Sequence, residues 1–244
     1  MGANGGKLYL CGMKWEEGLI DSLGWGKDIT RREEKEKVAA TIAGMVKDGE
    51  ILGVGSGSTA YLALLKIAER VKEEGLCIQA IPTSLEITMA CARLGIPVTG
   101  LEGHRPDWTF DGADEIDPYL SLIKGRGGAM FKEKLLISSS PKTFIIADSS
   151  KMVSRLGMNF PVPIEIFPQA FTYVEQALKK LSSREINLRM AEGKDGPIIT
   201  ENGNLILDVW FDSIPDTMER DIKQITGVIE SGLFMGYKIE ILNP

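Results

Sequence analysis

The chain has 244 residues, of which 43% are hydrophobic and 25% charged, a balance typical of a globular protein that buries a core. Its formal net charge of −6 argues against a surface for nucleic acid, so any bound anion has to be held by local geometry. The sequence also lacks a convincing signal peptide and any apolar run near the roughly 20 residues of a membrane helix, which predicts a cytoplasmic protein without a membrane partner.

The first part of the chain predicts an extension followed by a helix. Residues 1–29 are glycine-rich and show no hydrophobic period, so we expect them to lie outside the main body. Thr30 and Glu33 have the spacing of a capping box, and apolar residues follow at helical spacing. We therefore predict a helix at 31–48 with Thr30 as its cap.

Short apolar strands then alternate with helices. Strands are predicted at 51–54, 77–81, 96–99, 108–110, 120–124 and 143–147, with helices at 59–74, 84–94 and 129–138. This alternation indicates an α/β fold with a doubly wound, mostly parallel sheet of the Rossmann-like kind. Ligands gather at the carboxyl ends of the strands in such sheets, and the polar loops of this chain all follow a predicted strand.

The composition changes after Gly157, where a second pattern begins. Strands at 161–167, 185–190, 204–211 and 227–234 and helices at 170–181 and 215–225 follow one another as βαββαβ, the order of a ferredoxin-like α+β unit. Pro215 is well placed as a first helical residue, and residues 238–242 are expected to return to the large sheet as its last strand. We predict an extension at 1–29, a large domain at 30–156 and 235–244, and a small domain at 157–234.

Cysteine and histidine restrict the possible chemistry. Cys11, Cys77 and Cys91 form no CxxC pair, which favours reduced thiols over a zinc site or a disulfide framework. His104 is the single histidine, so a histidine metal site and a Ser-His-Asp triad are both excluded. Any reaction must therefore depend on carboxylates, lysines and hydroxyls.

A glycine loop joins the first predicted strand to its helix. Glycine lets the backbone approach an anion, and the amides and hydroxyls of Ser56, Gly57, Ser58 and Thr59 could donate to a phosphate. The loop lacks the GK[ST] ending of a nucleotide P-loop and the spacing of a dinucleotide fingerprint. The alternative is a plain turn in which Ser58 caps the helix.

An acidic turn follows the predicted strand at 108–110. Asp111 and Asp114 flank Gly112 and Ala113, so both carboxylates can reach one cavity, where they could bind sugar hydroxyls or transfer a proton during ring opening. The alternative is a solvated acidic turn. A magnesium site ranks lower, because few other ligands accompany the pair.

A lysine, a glycine-rich loop and a glutamate come next. Lys124 and the amides of loop 125–128 are suited to stabilising an enediolate oxygen, unless the lysine simply lies on the surface before a turn. Glu133 would be a base if it faced a cleft where burial raises its pKa, and a solvated helix charge otherwise. Lys151 adds a cation at the same edge of the sheet. Together these groups predict an enzyme acting on a small phosphorylated sugar.

As a set, these motifs resemble the type A ribose-5-phosphate isomerase family, whose members interconvert ribose 5-phosphate and ribulose 5-phosphate. The resemblance extends over about residues 30–242. The segments that carry it, in the family's order and spacing, are GVGSGSTA (53–60), PTS (82–84), DGADEID (111–117), IKGRGGAMFKEK (123–134), ADSSK (147–151), PVPIEI (161–166), TENGNLILD (200–208) and GVIESGLF (227–234).

The resemblance also implies roles for individual residues. Glu133 corresponds to the proton acceptor, and Lys124 to a group that stabilises the enediolate. Asp111 corresponds to an acid that assists opening of the sugar ring, and it lies in the acidic loop that ends at Asp114. The implied substrate-binding residues are Ser56, Gly57, Ser58, Thr59, Asp111, Gly112, Ala113, Asp114, Lys124, Gly125, Arg126, Gly127 and Lys151. The implied protein is an aldose-ketose isomerase of the pentose phosphate pathway, without a metal or organic cofactor, that assembles as a homodimer or homotetramer.

The chain departs from the family pattern at three positions. Ser56 replaces the usual threonine, Glu201 replaces the usual aspartate far from the expected chemistry, and Arg126 stands where glycine is frequent. Arg126 could add a phosphate contact, change the sugar preference or block the pocket. Two other hypotheses follow, an isomerase for a different phosphosugar and a non-catalytic phosphosugar sensor. Glu133, both aspartates and the absence of a recognisable DNA-binding helix pair count against the sensor.

Overall fold

The structure is a computed structural model that describes Trp25 and residues 28–244. Most of the extension predicted at 1–29 lies outside these residues, and so does Cys11. The strands in chain order are β1 (Ile51–Val54), β2 (Gln79–Pro82), β3 (Trp108–Asp111), β4 (Glu115–Ile116), β5 (Leu122–Ile123), β6 (Thr143–Ile146), β7 (Val162–Ile166), β8 (Ser183–Leu188), β9 (Leu205–Phe211), β10 (Val228–Ser231), β11 (Leu233–Phe234) and β12 (Ile239–Leu242). The helices are α1 (Arg32–Met45), α2 (Ser58–Glu74), α3 (Leu85–Leu94), α4 (Met130–Ser139), α5 (Phe171–Lys179) and α6 (Met218–Lys223).

A five-stranded sheet has the strand order β12-β6-β3-β1-β2. All of its neighbouring strands are parallel, and every residue of β3 and β6 is buried, as expected for a sheet covered on both faces. The predicted doubly wound, mostly parallel sheet is therefore confirmed. The predicted return of residues 238–242 is confirmed as well, because β12 pairs with β6.

The main apolar core lies between this sheet and helices α1, α2 and α3. Val38, Ala39 and Ile42 come from one face of α1 at helical spacing and are at most 2% exposed. Leu64 and Ile67 of α2 enter the same core. Each large apolar side chain buried in this way stabilises the fold by about 1.5–3 kcal/mol.

A second, four-stranded antiparallel sheet has the order β10-β7-β9-β8. Val174 and Leu178 of α5 and Ile222 of α6 pack on it together with Leu207 and Val209 of β9, and all five side chains are fully buried. The βαββαβ order of its elements confirms the predicted ferredoxin-like arrangement.

A small three-stranded sheet, β11-β5-β4, corrects two predictions. The strand predicted at 120–124 does not join the parallel sheet, because β5 pairs antiparallel with β4 and β11. The strand predicted at 227–234 is divided at Gly232 into β10 and β11. A Cβ atom on Gly232 would overlap the carbonyl oxygen of Lys124 and lie 2.7 Å from Pro163 Cδ. The close approach of these backbones therefore requires glycine.

Two predicted helix starts are wrong. Helix α1 begins after Arg31, which has left-handed backbone angles (φ 50°, ψ 44°), and no side chain caps it. Instead of a Thr30 cap, the guanidinium of Arg31 donates to Glu34 and Ser149. Helix α6 begins at Met218 rather than at Pro215, because Pro215 belongs to a preceding turn whose carbonyl accepts the Met218 amide at 2.8 Å.

The strand predicted at 96–99 is reduced to a single bridge between Val98 and Ala80. Ala80 donates to the Pro97 carbonyl and accepts from the Thr99 amide, both at 2.9 Å. Pro97 has no amide hydrogen, so it cannot contribute a donor to a longer ladder.

Candidate active site

The site lies where the chain leaves β1 and β3, two adjacent parallel strands. Because β2 and β3 flank β1 on opposite sides, the loops after β1 and β3 open into a crevice at the carboxyl edge of the sheet. The Gly55 amide donates to Phe110 O at 2.8 Å, and a Cβ atom on Gly55 would overlap the Asp111 carboxyl group. Glycine at this position therefore lets the two loops meet.

Three buried charged groups converge in this crevice. Asp111 ends β3, Lys124 follows β5, and Glu133 lies in the first turn of α4. The Lys124 ammonium lies 2.9 Å from Asp111 Oδ2 and 3.3 Å from Glu133 Oε2, and it donates a 2.5 Å hydrogen bond to Gly112 O. Asp111, Lys124 and Glu133 are 0%, 3% and 4% exposed. The alternatives of a solvated acidic turn, a surface lysine and a solvated helix charge are therefore wrong for these three residues.

Burial and mutual charge change the acidity of this cluster. Burial raises the pKa of Glu133 from its ordinary 4.5 to about 8, and the charge of Asp111 adds to the rise while Lys124 opposes it. Burial also raises the pKa of Asp111, against the effect of Lys124. Burial opposes the charge on Lys124, but Asp111 and Glu133 outweigh it and raise the pKa of the ammonium. The cluster thus combines an ammonium group that stays charged with one carboxyl group, Glu133, that can exchange a proton near neutral pH.

The glycine-rich loop after Lys124 is bonded to the acidic turn that carries Asp114. Gly125 and Gly128 have φ angles of +100° and +80°, and the Gly128 amide donates to Gly125 O at 3.0 Å. On one side, the Arg126 amide donates to Asp114 Oδ2 at 3.1 Å. The half-buried Asp114 therefore holds the loop, and its own amide donates to Ile123 O at 2.8 Å.

The loop between β1 and α2 has the form of an anion cradle. Gly57 is the N-cap residue of α2 with φ 92°, a conformation that favours glycine, and Ser58 is the first helical residue. The alternative in which Ser58 caps the helix is therefore wrong. The Ser58 hydroxyl instead accepts from Lys35 Nζ at 3.1 Å, and Ser56 Oγ lies 2.7 Å from Thr83 Oγ1.

Lys35 is a site residue that our sequence reasoning missed. It is 6% exposed on α1, lies 4.0 Å from Asp148 Oδ2, and contacts Ser58 of the anion cradle. Burial lowers its pKa, Asp148 opposes this, and the nearby charges of Lys151 and Arg126 lower it further. The sequence contained a signal that Lys35 is buried, because this residue precedes the buried residues of α1 at helical spacing and so lies on the same face of the helix.

Glu201 connects helices α3 and α4. Its carboxylate accepts from the Leu85 amide at the start of α3 at 2.6 Å and from Lys132 Nζ at 2.7 Å. Lys132 immediately precedes Glu133, and α3 follows the turn that carries Thr83. Glu201 therefore links the start of α3 to the first turn of α4, the turn that also carries Glu133.

Other classes of site find no support within residues 25 and 28–244. In this part of the chain no group of three or more His, Cys, Asp or Glu side chains is arranged to hold a metal ion. Cys77 and Cys91 are free thiols. None of the helices described here is long and apolar enough to cross a membrane.

Comparison with known proteins identifies the family. Residues 79–242 match the family model described as ribose 5-phosphate isomerase A (phosphoriboisomerase A). The chain belongs to this family. It is 42% identical over 204 residues to ribose-5-phosphate isomerase A of Methanothermobacter thermautotrophicus, covering 83% of this chain and 89% of that protein. Identity to ribose-5-phosphate isomerase A of Bacillus mycoides is 45% over 208 residues, covering 84% of this chain and 92% of that protein.

A solved structure supports the same assignment to the ribose 5-phosphate isomerase A family. The structure of ribose 5-phosphate isomerase A from Methanocaldococcus jannaschii matches this chain with a TM-score of 0.84 at 38% identity. The match covers 87% of this chain and 95% of that one. The family resemblance based on the motifs and the fold class predicted from the alternation of strands and helices are therefore both confirmed.

Proposed function

We propose that this chain interconverts D-ribose 5-phosphate and D-ribulose 5-phosphate through an enediolate, with Glu133 as the base that moves the proton between C2 and C1. The observation that carries this proposal is the buried cluster in which Lys124 lies between Glu133 and Asp111. A base works best with a pKa near the working pH, and burial raises the pKa of Glu133 to about 8. Membership of the ribose 5-phosphate isomerase A family supports the choice of substrate.

The same cluster would stabilise the intermediate. Removing a proton from C2 of the open-chain aldose places negative charge on the C1 oxygen, and transfer of the hydroxyl proton from the C2 oxygen to the C1 oxygen then moves that charge to the C2 oxygen before Glu133 returns its proton to C1. Lys124 is a fixed donor beside Glu133, the amide of Gly127 in the following loop is a further candidate donor, and donors fixed in a buried site stabilise such charge without having to reorganise. Asp111, whose pKa is raised by burial, can supply the proton that opens the sugar ring. Asp114 and residues 112–113 line the turn beside it and would bind sugar hydroxyls.

The loop between β1 and α2 suits the phosphate group. The amides and hydroxyls of residues 56–59 lie at the N-terminus of α2, where the helix dipole favours an anion. Lys35 contacts Ser58, and the charges of Lys151 and Arg126 lie close enough to affect the pKa of Lys35. Arg126 is exposed, which supports an added phosphate contact rather than a blocked pocket.

We further propose that the chain works as two domains, a large one at 30–156 and 235–244 and a small one at 157–234. The parallel sheet and the ferredoxin-like sheet support this division. Assembly as a homodimer or homotetramer stays a prediction that light scattering can test.

The decisive experiment compares conversion of ribose 5-phosphate by the intact protein, E133Q and E69Q. Glu69 is an exposed residue of α2 paired with Lys66, so E69Q makes the same chemical change away from the site. We expect E133Q to lose about 10²–10⁴-fold in kcat, the usual contribution of a general base, while it still binds ribose 5-phosphate. E69Q should retain full activity. Unchanged turnover by E133Q would remove Glu133 from the mechanism, and no turnover by the intact protein would reject the substrate.

A further inference from the structure

Arg189 lies behind the glycine-rich loop, on the side opposite Asp114. It follows β8, and its Nη1 donates to Gly125 O at 3.0 Å and to Arg126 O at 2.9 Å. Asp208 of β9 holds the other edge of the same guanidinium, accepting from Nε at 2.8 Å and also from Nη2. The two side chains are 14% and 19% exposed, so this pair is largely shielded from solvent.

These bonds determine which way the loop peptides point. The carbonyl and amide of a trans peptide point in opposite directions. Because Arg126 O faces Arg189, the amide of Gly127 in the same peptide points away from Arg189. By the same geometry Gly125 O faces Arg189, while the amide of Arg126 faces Asp114.

The loop needs this external support because glycine leaves it conformationally free. Gly125 and Gly128 both have positive φ, and the internal Gly128–Gly125 hydrogen bond closes only one turn. A guanidinium on the carbonyl oxygens also polarises the peptides and strengthens their amides as donors. Arginine suits this place, because its planar fork can bind a carboxylate on one edge and carbonyl oxygens on the other.

We propose that Arg189 and Asp208 are positioning residues, which hold the loop through Gly125 O and Arg126 O and so orient and polarise the amide of Gly127 as a donor to the enediolate. The inference rests on the proposed isomerase function and deepens it. Neither side chain touches the sugar in this scheme, since both act through the backbone of the loop. A pair that serves stability alone would not affect binding of the intermediate more than binding of phosphate.

The test measures R189M, R189K and D208N against R184M. Arg184 lies on β8, the strand that Arg189 follows, with its guanidinium over the Trp210 ring, 5.6 Å from the centroid, and is therefore a matched arginine control away from the loop. For R189M we expect a loss of about 10–100-fold in kcat, below the roughly 10²–10³-fold effect of deleting a direct oxyanion donor, with KM little changed. R189K and D208N should lie between R189M and the intact protein, and R184M should match the intact protein.

Two inhibitors separate positioning from a general loss of structure. A phosphorylated four-carbon hydroxamic acid imitates the charged oxygens of the enediolate, whereas inorganic phosphate fills only the anion cradle. In R189M the affinity for the hydroxamate should fall by the same factor as kcat/KM, while the affinity for phosphate stays within about twofold. If R189M does not fold, R189K provides the same comparison, and millimolar methylguanidinium should restore part of the activity of R189A.

Each outcome has a definite meaning. If the intact protein converts ribose 5-phosphate and folded R189M retains full kcat, this inference is overturned and the isomerase proposal stands. An equal loss of affinity for hydroxamate and phosphate would also overturn it, because the pair would then be purely structural. If the intact protein does not turn over ribose 5-phosphate, the proposed function fails, and the ratio of the two affinities still tests the positioning of the loop.

Discussion

Asp111 and Glu133 lie on different elements of the fold and share the ammonium group of Lys124, at 2.9 Å and 3.3 Å. One positive charge cannot fully compensate two buried carboxylates, so one of them is favoured to hold a proton. The ordinary pKa of a glutamate is 4.5, whereas burial and the charge of Asp111 raise the pKa of Glu133 to about 8. The relationship makes a carboxyl group into a base that is effective near neutral pH.

The pH dependence of the reaction follows from this relationship. The base is active when deprotonated, so kcat/KM should rise with pH and level off above about 8, instead of above its ordinary 4.5. Ionisation of the substrate phosphate near pH 6 could produce a similar limb. D111N tells the two apart, because removing the Asp111 charge should lower the pKa of Glu133 and move the limb to lower pH. If kcat/KM of D111N rises over the same pH range as that of the intact protein, Glu133 is not the group whose ionisation causes the rise.

Replacing Lys35 should weaken phosphate binding. K35M removes a buried ammonium that donates to Ser58 of the anion cradle. Hydrogen bonds to charged groups contribute about 1.5–3 kcal/mol, so we expect KM and the inhibition constant of inorganic phosphate to rise together by about 10-fold or more, with a smaller change in kcat. K66M, at an exposed lysine of α2, is the control. Unchanged phosphate inhibition in K35M would place the phosphate elsewhere.

A pair of glycine substitutions should have opposite effects on stability. A Cβ atom on Gly232 would overlap Lys124 O, so G232A should lower the free energy of unfolding by about 1–3 kcal/mol and also impair activity. Gly44 lies in α1 with no atom within 4 Å of an added Cβ, so G44A should raise the free energy of unfolding by about 0.5–1 kcal/mol. Urea unfolding curves measure both. A G232A protein as stable as the parent would show that the backbone at β11 can move.

Glu201 should stabilise the fold mainly through the Leu85 amide. E201A removes an acceptor at the N-terminus of α3 and should cost about 0.5–2 kcal/mol, the usual effect of losing a cap. K132M removes only the ion pair, whose side chains are 41% and 39% exposed, and should cost less than about 0.5 kcal/mol. Thermal unfolding of the two variants compares these contributions. Equal losses would instead assign the stability to the ion pair.

Periodicity predicted the parts of the fold that depend on local sequence. Strands such as β1 and β6 are short apolar runs bounded by polar loops, and their limits match the prediction at both ends or to within one residue. The small three-stranded sheet could not be predicted in this way. Strands β4, β5 and β11 have only two residues each, so no alternation of hydrophobicity is available to identify them, and β11 is distant in the chain from its partner β5.

The candidate site, like the fold, could be predicted from the sequence only in part. Asp111, Lys124 and Glu133 could be selected because each stands in or near a glycine-containing motif after a strand. Their burial depended on the tertiary fold, and for Glu133 the neighbouring lysines favoured the solvated alternative. Arg189 gave no local signal, because its partners are backbone carbonyls and a carboxylate that a later strand brings beside it.

The division of one predicted strand at Gly232 affects how the site is made during synthesis. The amide of Lys124 donates to Gly232 O, and the amide of Gly232 donates to Pro163 O. The backbone of Lys124 is thus fixed by residues that leave the ribosome long after it. A nascent chain can complete its glycine cradle and acidic turn early, yet it cannot lock its central ammonium group in place until residue 232 has emerged as well.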